Sequence, residues 1–154
     1  ETLISFLLEK TPLLKELDIK IVFESDYRPK SLLSFINKLP ASNFGINYDS
    51  GNSASLGIPA QDEFELYGDR VYNVHIKDRL FKGTTVPLGE GSCNFNSVFK
   101  CLKDTNYRGN FILQTARATD DDHQGQLIKF INFVKAYQTS SNINELQYSP
   151  PPLN

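Results

Sequence analysis

Ile19-Lys20-Ile21-Val22-Phe23-Glu24, Phe44-Gly45-Ile46-Asn47-Tyr48-Asp49, Val71-Tyr72-Asn73-Val74-His75 and Phe111-Ile112-Leu113-Gln114 are four short apolar runs. Runs of this length and content read as strands, and the first is apolar on both faces, as a buried parallel strand is. The stretches between them read as helices, and strand–helix repetition predicts parallel strands. Each run closes on a side chain able to bind a metal: Glu24, Asp49, His75 and Gln114. The carboxyl ends of parallel strands are where such folds place their chemistry, so four candidate ligands at four such ends suggest one metal site.

Working outward, Leu3 to Leu17 carries apolar residues at helical spacing. Thr11-Pro12 reads as a break, with Thr as N-cap and Pro at the first helical position. Pro29 opens a helix through Leu39 whose inner side is Leu32, Leu33, Phe35, Ile36 and Leu39. Ser50-Gly51-Asn52-Ser53 reads as a loop. Gln61 to Tyr67 is a short helix ended near Gly68. A loop is expected from Lys77 to Gly91, and Asn94 caps a helix bearing Val98, Phe99 and Leu102. A final helix uses Leu127, Ile128, Ile131, Val134 and Tyr137. These units make an α/β chain of parallel strand–helix pairs forming about half of a TIM-like barrel, since a complete barrel needs about 250 residues. The half-barrel is assigned to residues 1–138 and a Ser/Pro-rich tail to 139–154. An open four-stranded sheet has two unprotected edges, so a second half-barrel is expected from another copy, another chain or a preceding segment.

With 154 residues the chain can bury a core. A net charge of −2 gives no footprint for nucleic acid or a membrane surface. No run is long enough to span a bilayer, and no signal peptide is apparent. The chain opens on Glu1 rather than Met, as a fragment or processed product does. Cys93 and Cys101 lie too far apart along one helical stretch to bridge and read as reduced core thiols, which points to a cytoplasmic protein.

Val22-Phe23-Glu24, Asn47-Tyr48-Asp49-Ser50-Gly51-Asn52, Val74-His75-Ile76-Lys77-Asp78, Pro87-Leu88-Gly89-Glu90-Gly91 and Phe111-Ile112-Leu113-Gln114, in that order, resemble the second half of the xylose-isomerase-like barrels. The likeness runs from about Leu17 to Tyr137. That superfamily holds sugar-phosphate isomerases and epimerases, inosose-processing enzymes and apurinic endonucleases. The resemblance implies a divalent metal held by Glu, Asp, His and a second Glu at successive strand ends, which fall on Glu24, Asp49, His75 and the position of Gln114. In the family's epimerases the two Glu ligands also take and return a proton on opposite faces of the sugar. Gln114 can offer a carbonyl oxygen but accepts no such proton, so two-base epimerisation is not expected; single-base chemistry through Glu24 and an inactive or repurposed site are the readings left.

Asn52 stands where the family often has a His and can still bond a sugar hydroxyl. The endonuclease branch places an extra Asp and His where this chain has Gly83 and Thr85, so nucleic acid is not expected as a partner. Carboxylates, one imidazole and an amide oxygen suit Mn²⁺, Mg²⁺ or Co²⁺, with Zn²⁺ a further candidate. The metal would polarise a ketose carbonyl. Lys77, Arg79, Lys82 and Arg117 lie near strand ends, and Lys77, Arg79 and Arg117 join Asn52 as candidate contacts to a sugar or sugar phosphate. The expected function is thus that of a sugar isomerase or epimerase in carbohydrate metabolism. The alternative is a degenerate, non-catalytic barrel that binds a sugar or a partner protein. The plainer readings are a structural salt bridge for Glu24, a loop cap for Asp49, a core histidine for His75 and a structural hydrogen bond for Gln114. Asp78 is read as orienting its loop, Glu90 as a turn residue, and Asp120-Asp121-Asp122-His123 as a solvated helix N-terminus.

Overall fold

A computed structural model describes residues 2–139. Four strands form one parallel sheet: β1 (Ile21–Phe23), β2 (Phe44–Asp49), β3 (Val71–Ile76) and β6 (Asn110–Leu113), in the order β1-β2-β3-β6. The helices are α1 (Leu3–Glu16), α2 (Pro29–Ile36), α3 (Ser50–Leu56), α4 (Ala60–Tyr67), α5 (Phe95–Asp104) and α6 (His123–Thr139). The architecture is α/β with parallel strand–helix units, and it forms part of a barrel rather than a closed one.

Alternation divides the sheet into an apolar and a polar face. Phe44, Ile46 and Tyr48 of β2 and Val74 and Ile76 of β3 are buried in the core with Ile36, Phe64, Val98 and Leu102. Phe23 packs its ring edge-on against Phe35, with centroids 5.0 Å apart. The opposite face carries Asn47 and Asp49 in register with Asn73 and His75. A register shift between Ile46 and Asn47 creates this alignment. Arg70, buried, donates through Nη2 to the carbonyls of Ile36, Leu39 and Phe44, tying the end of α2 to the start of β2.

Several boundaries differ from the sequence reading, each for a physical reason. The first strand is only Ile21–Phe23 and half-buried, because it is a sheet edge; Glu24 sits just beyond it. Pro12 does not break α1: the buried stripe Leu7, Thr11 and Leu14 continues across it, and Thr11 Oγ1 donates back to the Leu7 carbonyl. Ser50–Leu56 is a helix rather than a loop, capped by Asp49 and stopped by Gly57 at φ 67°. Helix α2 ends at Ile36, and Leu39 is buried in the turn that follows it. The stretch expected as a loop from Lys77 holds a small hairpin, β4 (Asp78–Arg79) against β5 (Thr85–Val86).

In α6 the buried face is Phe130, Phe133, Val134 and Tyr137, whereas Leu127, Ile128 and Ile131 are exposed. Cys93 precedes α5 and Cys101 lies within it; both are free thiols, held neutral by burial. The acidic run is exposed at the start of α6, where Asp122 Oδ1 accepts from Gly125 N. The helix runs to Thr139, and the expected tail beyond it lies outside the described residues. No helix among the described residues is long and apolar enough to cross a membrane.

Candidate metal centre

Strand alternation sends Glu24, Asn47, Asp49, Asn73 and His75 to one face of the sheet, at its carboxyl end. Glu24, Asp49 and His75 each offer a ligand atom, and these atoms lie within 4.8 Å of one another. His75 Nδ1 stands 3.1 Å from Glu24 Oε2 and 3.9 Å from Asp49 Oδ2. Asp49 is almost wholly buried; its Oδ1 accepts from Asn52 N at 2.8 Å, which caps α3. Burial raises the Asp49 carboxyl above its ordinary value, the Asn52 amide and Lys77 pull it back, and the charge on Glu24 pushes it up again.

Within this cluster two buried atoms are left without a hydrogen bond, Asp49 Oδ2 and His75 Nδ1. Buried polar atoms in folded proteins are normally satisfied, and two orphans side by side on a carboxylate and an imidazole match the donor set of a divalent cation. The residues present therefore fit the group.

Glu24 is held from both sides. Asn47 Nδ2 donates to Oε2 at 2.9 Å and Asn52 Nδ2 to Oε1 at 3.0 Å. Arg79 donates through Nη1 to Asn52 Oδ1 and through Nε and Nη2 to the Gly83 carbonyl, so most of its fork is already used within the protein. Lys77 Nζ reaches 2.9 Å from Gln114 Oε1 and 3.7 Å from Asp49 Oδ2. Its stem crosses Gly51, where an added Cβ would lie 2.6 Å from Lys77 Cγ. Gln114 thus sits beside the three-residue cluster with its carbonyl turned to Lys77. Arg117 is exposed in the segment after β6, with no hydrogen bond or ion pair among the described residues. Lys82 lies at the hairpin turn with its Nζ over the Phe81 ring.

Asp78 anchors the rim. It is fully buried, and its carboxylate accepts from the backbone N–H groups of Gly89, Gly91 and Cys93 at 2.9, 2.9 and 3.1 Å. An added Cβ at Gly91 would collide with that carboxylate. A cleft of about 570 Å³ opens beside the cluster, lined by Glu24, Ser25, Asp26, Asn52, Ser55 and Arg79 among others. The sequence reading did not single out Asn47 or Asn73; their only signal was their place two residues before the Asp and His of adjacent strands.

The model of the xylose isomerase-like TIM barrel family matches residues 2–135, and the chain belongs to that family. An uncharacterized protein of Methanocaldococcus jannaschii, MJ1311, is 27% identical over 104 residues, covering 66% of this chain and 36% of its own length. The L-ribulose-5-phosphate 3-epimerase UlaE of Shigella flexneri is 29% identical over 105 residues, with the same two coverages, 66% and 36%. The chain therefore spans about a third of the length of the curated relatives it matches. Among solved structures, a D-tagatose 3-epimerase-like protein superposes with a TM-score of 0.66 at 24% identity, covering 88% of this chain and 54% of that one. This last likeness shows the fold.

Proposed function

We propose that this chain supplies the metal-binding half of a sugar isomerase or epimerase, acting by metal-assisted proton transfer next to a ketose carbonyl. The observation that carries the reading is the convergence of Glu24, Asp49 and His75, with two buried atoms left unpaired among them. These three residues would hold Mn²⁺, Mg²⁺, Co²⁺ or Zn²⁺, and the bound cation supplies Lewis-acid stabilisation of negative charge on substrate oxygens. Glu24 serves as the base: it removes the proton from the carbon next to the carbonyl, and that carbon's electron pair passes into the carbonyl. The amide donors on both Glu24 oxygens keep it aimed. Asn52 and Arg79 line the cleft beside Glu24, and Lys77 and Arg117 are further substrate contacts. A sugar or sugar phosphate is the substrate class, which the epimerase name of the UlaE relative supports.

Gln114 cannot accept the substrate proton as a carboxylate would, and its carbonyl is engaged by Lys77. That contact favours a single base over a two-base epimerisation, and it also supports the second reading, a non-catalytic barrel that binds a sugar or a partner protein. Solvent-deuterium incorporation separates the two. With Mn²⁺ present, a panel of free and phosphorylated pentuloses and hexuloses is expected to exchange the proton next to the carbonyl of one member. Absence of exchange across the panel, with metal bound, overturns the catalytic reading in favour of the binding one.

The site is open on one side, and we place a second half-barrel there. The sheet ends in the edge strands β1 and β6. Leu3, Phe6, Leu13 and Leu17 of the first helical stretch, and Leu127, Ile128 and Ile131 of α6, are exposed. Edges of this kind associate. In sedimentation velocity the purified chain is expected to self-associate; a well-folded monomer at micromolar concentration contradicts this part of the reading.

A further inference from the structure

We infer that Asn73 and Asn47 form a polarity relay that positions Glu24, so that these two amides, though neither is a candidate ligand, set the affinity of the metal centre. The inference rests on the metal-site reading above. Asn73 Nδ2 donates to Asn47 Oδ1 at 2.7 Å, and Asn47 Nδ2 donates to Glu24 Oε2 at 2.9 Å. The direction of this chain is fixed by chemistry. A carboxylate only accepts, so Asn47 must present its NH₂ to Glu24 and its carbonyl to Asn73. On the other side an Arg only donates, so Asn52 turns its carbonyl to Arg79 and its NH₂ to Glu24.

Glu24 therefore receives one oriented N–H on each oxygen, from two amides that are each locked by a third residue. It needs this because it lies beyond the end of a three-residue edge strand, where the backbone alone holds it weakly. The relay runs across β3 and β2 at the paired positions Asn73 and Asn47, created by the register shift between Ile46 and Asn47. Groups that orient a metal ligand in this way are worth roughly 10–100-fold in metal affinity.

Asn73→Asp tests the relay sharply. It keeps size and shape, but a carboxylate at 73 cannot donate. Asn47 must then turn its NH₂ toward residue 73 and its carbonyl toward Glu24 Oε2, losing the bond. Bulk electrostatics predicts the opposite outcome, since an added negative charge near the site attracts cations. Mn²⁺ titration by calorimetry is expected to show N73D binding roughly 10–100-fold more weakly than the unaltered chain. Equal or tighter binding overturns the relay. Asn73→Ala, which also frees the Asn47 carbonyl, is the second variant; it is expected to weaken binding in the same direction, and equal affinity overturns the relay if N73D does not fold. A metal-free measurement keeps this apart from the metal reading. In ¹⁵N-correlated spectra the Asn47 side-chain protons are expected downfield and slow to exchange, and to lose both properties in N73D. Unchanged resonances overturn the relay whether or not Mn²⁺ binds, whereas shifted resonances in a chain that binds no Mn²⁺ leave the relay standing and overturn the metal site.

Discussion

Asp78→Ala is expected to cost roughly 3 kcal/mol or more of stability. The side chain is fully buried, and its carboxylate accepts from three backbone N–H groups of one loop, those of Gly89, Gly91 and Cys93. Removing it leaves three partly buried donors with no acceptor, and each orphaned group costs up to about 1–3 kcal/mol. The loss does not reach the full sum, because the loop can swing part of its backbone toward water. Burial raises the Asp78 carboxyl above its ordinary value, while the loop amides pull it down. Asp78→Asn is accordingly the milder change: it keeps one acceptor oxygen but turns an NH₂ group toward a donor. Urea denaturation followed by circular dichroism measures both. The expected order of stability is unaltered chain, then D78N, then D78A, and a loss below about 1 kcal/mol for D78A contradicts the assignment.

The parallel fold was legible because its signals are local. Each apolar run kept its strand, and the residue closing each run is the one the strand end delivers to the polar face. The ranking of faces was less legible. In α6 the heptad-like spacing of Leu127, Ile128 and Ile131 competes with Phe130, Phe133, Val134 and Tyr137, and only tertiary packing selects the aromatic set. The helix at Ser50–Leu56 carries almost no apolar periodicity; it forms because Asp49 caps one end and Gly57 turns left-handed at the other. Pro12 signalled a break that the buried Leu7–Leu14 stripe overrides. The hairpin at Asp78–Arg79 and Thr85–Val86 has strands too short for any pattern.

At the site, Glu24, Asp49 and His75 were readable from their places at strand ends. Asn47, which holds Glu24, and Asn73, which holds Asn47, were not: the two meet only through a register shift that no local pattern encodes. The tie between Lys77 and Gln114 likewise depends on Gly51, whose missing side chain lets the lysine stem pass.

His75→Ala is expected to weaken Mn²⁺ binding by at least about 100-fold, more than the loss of any residue that merely orients a ligand. The imidazole is the one nitrogen ligand in the cluster, and its Nδ1 lies against both carboxylates without a hydrogen bond of its own. The side chain belongs to a strand whose backbone bonds to both neighbours are independent of it, so the fold is expected to survive the change. Titration of the purified chain with Mn²⁺, followed by loss of the free-ion signal in electron paramagnetic resonance, tests the account most directly. One site per chain in the unaltered protein, abolished within the accessible range in H75A, is the predicted result; no binding by the unaltered protein, or equal binding by H75A, would contradict a metal centre built from Glu24, Asp49 and His75.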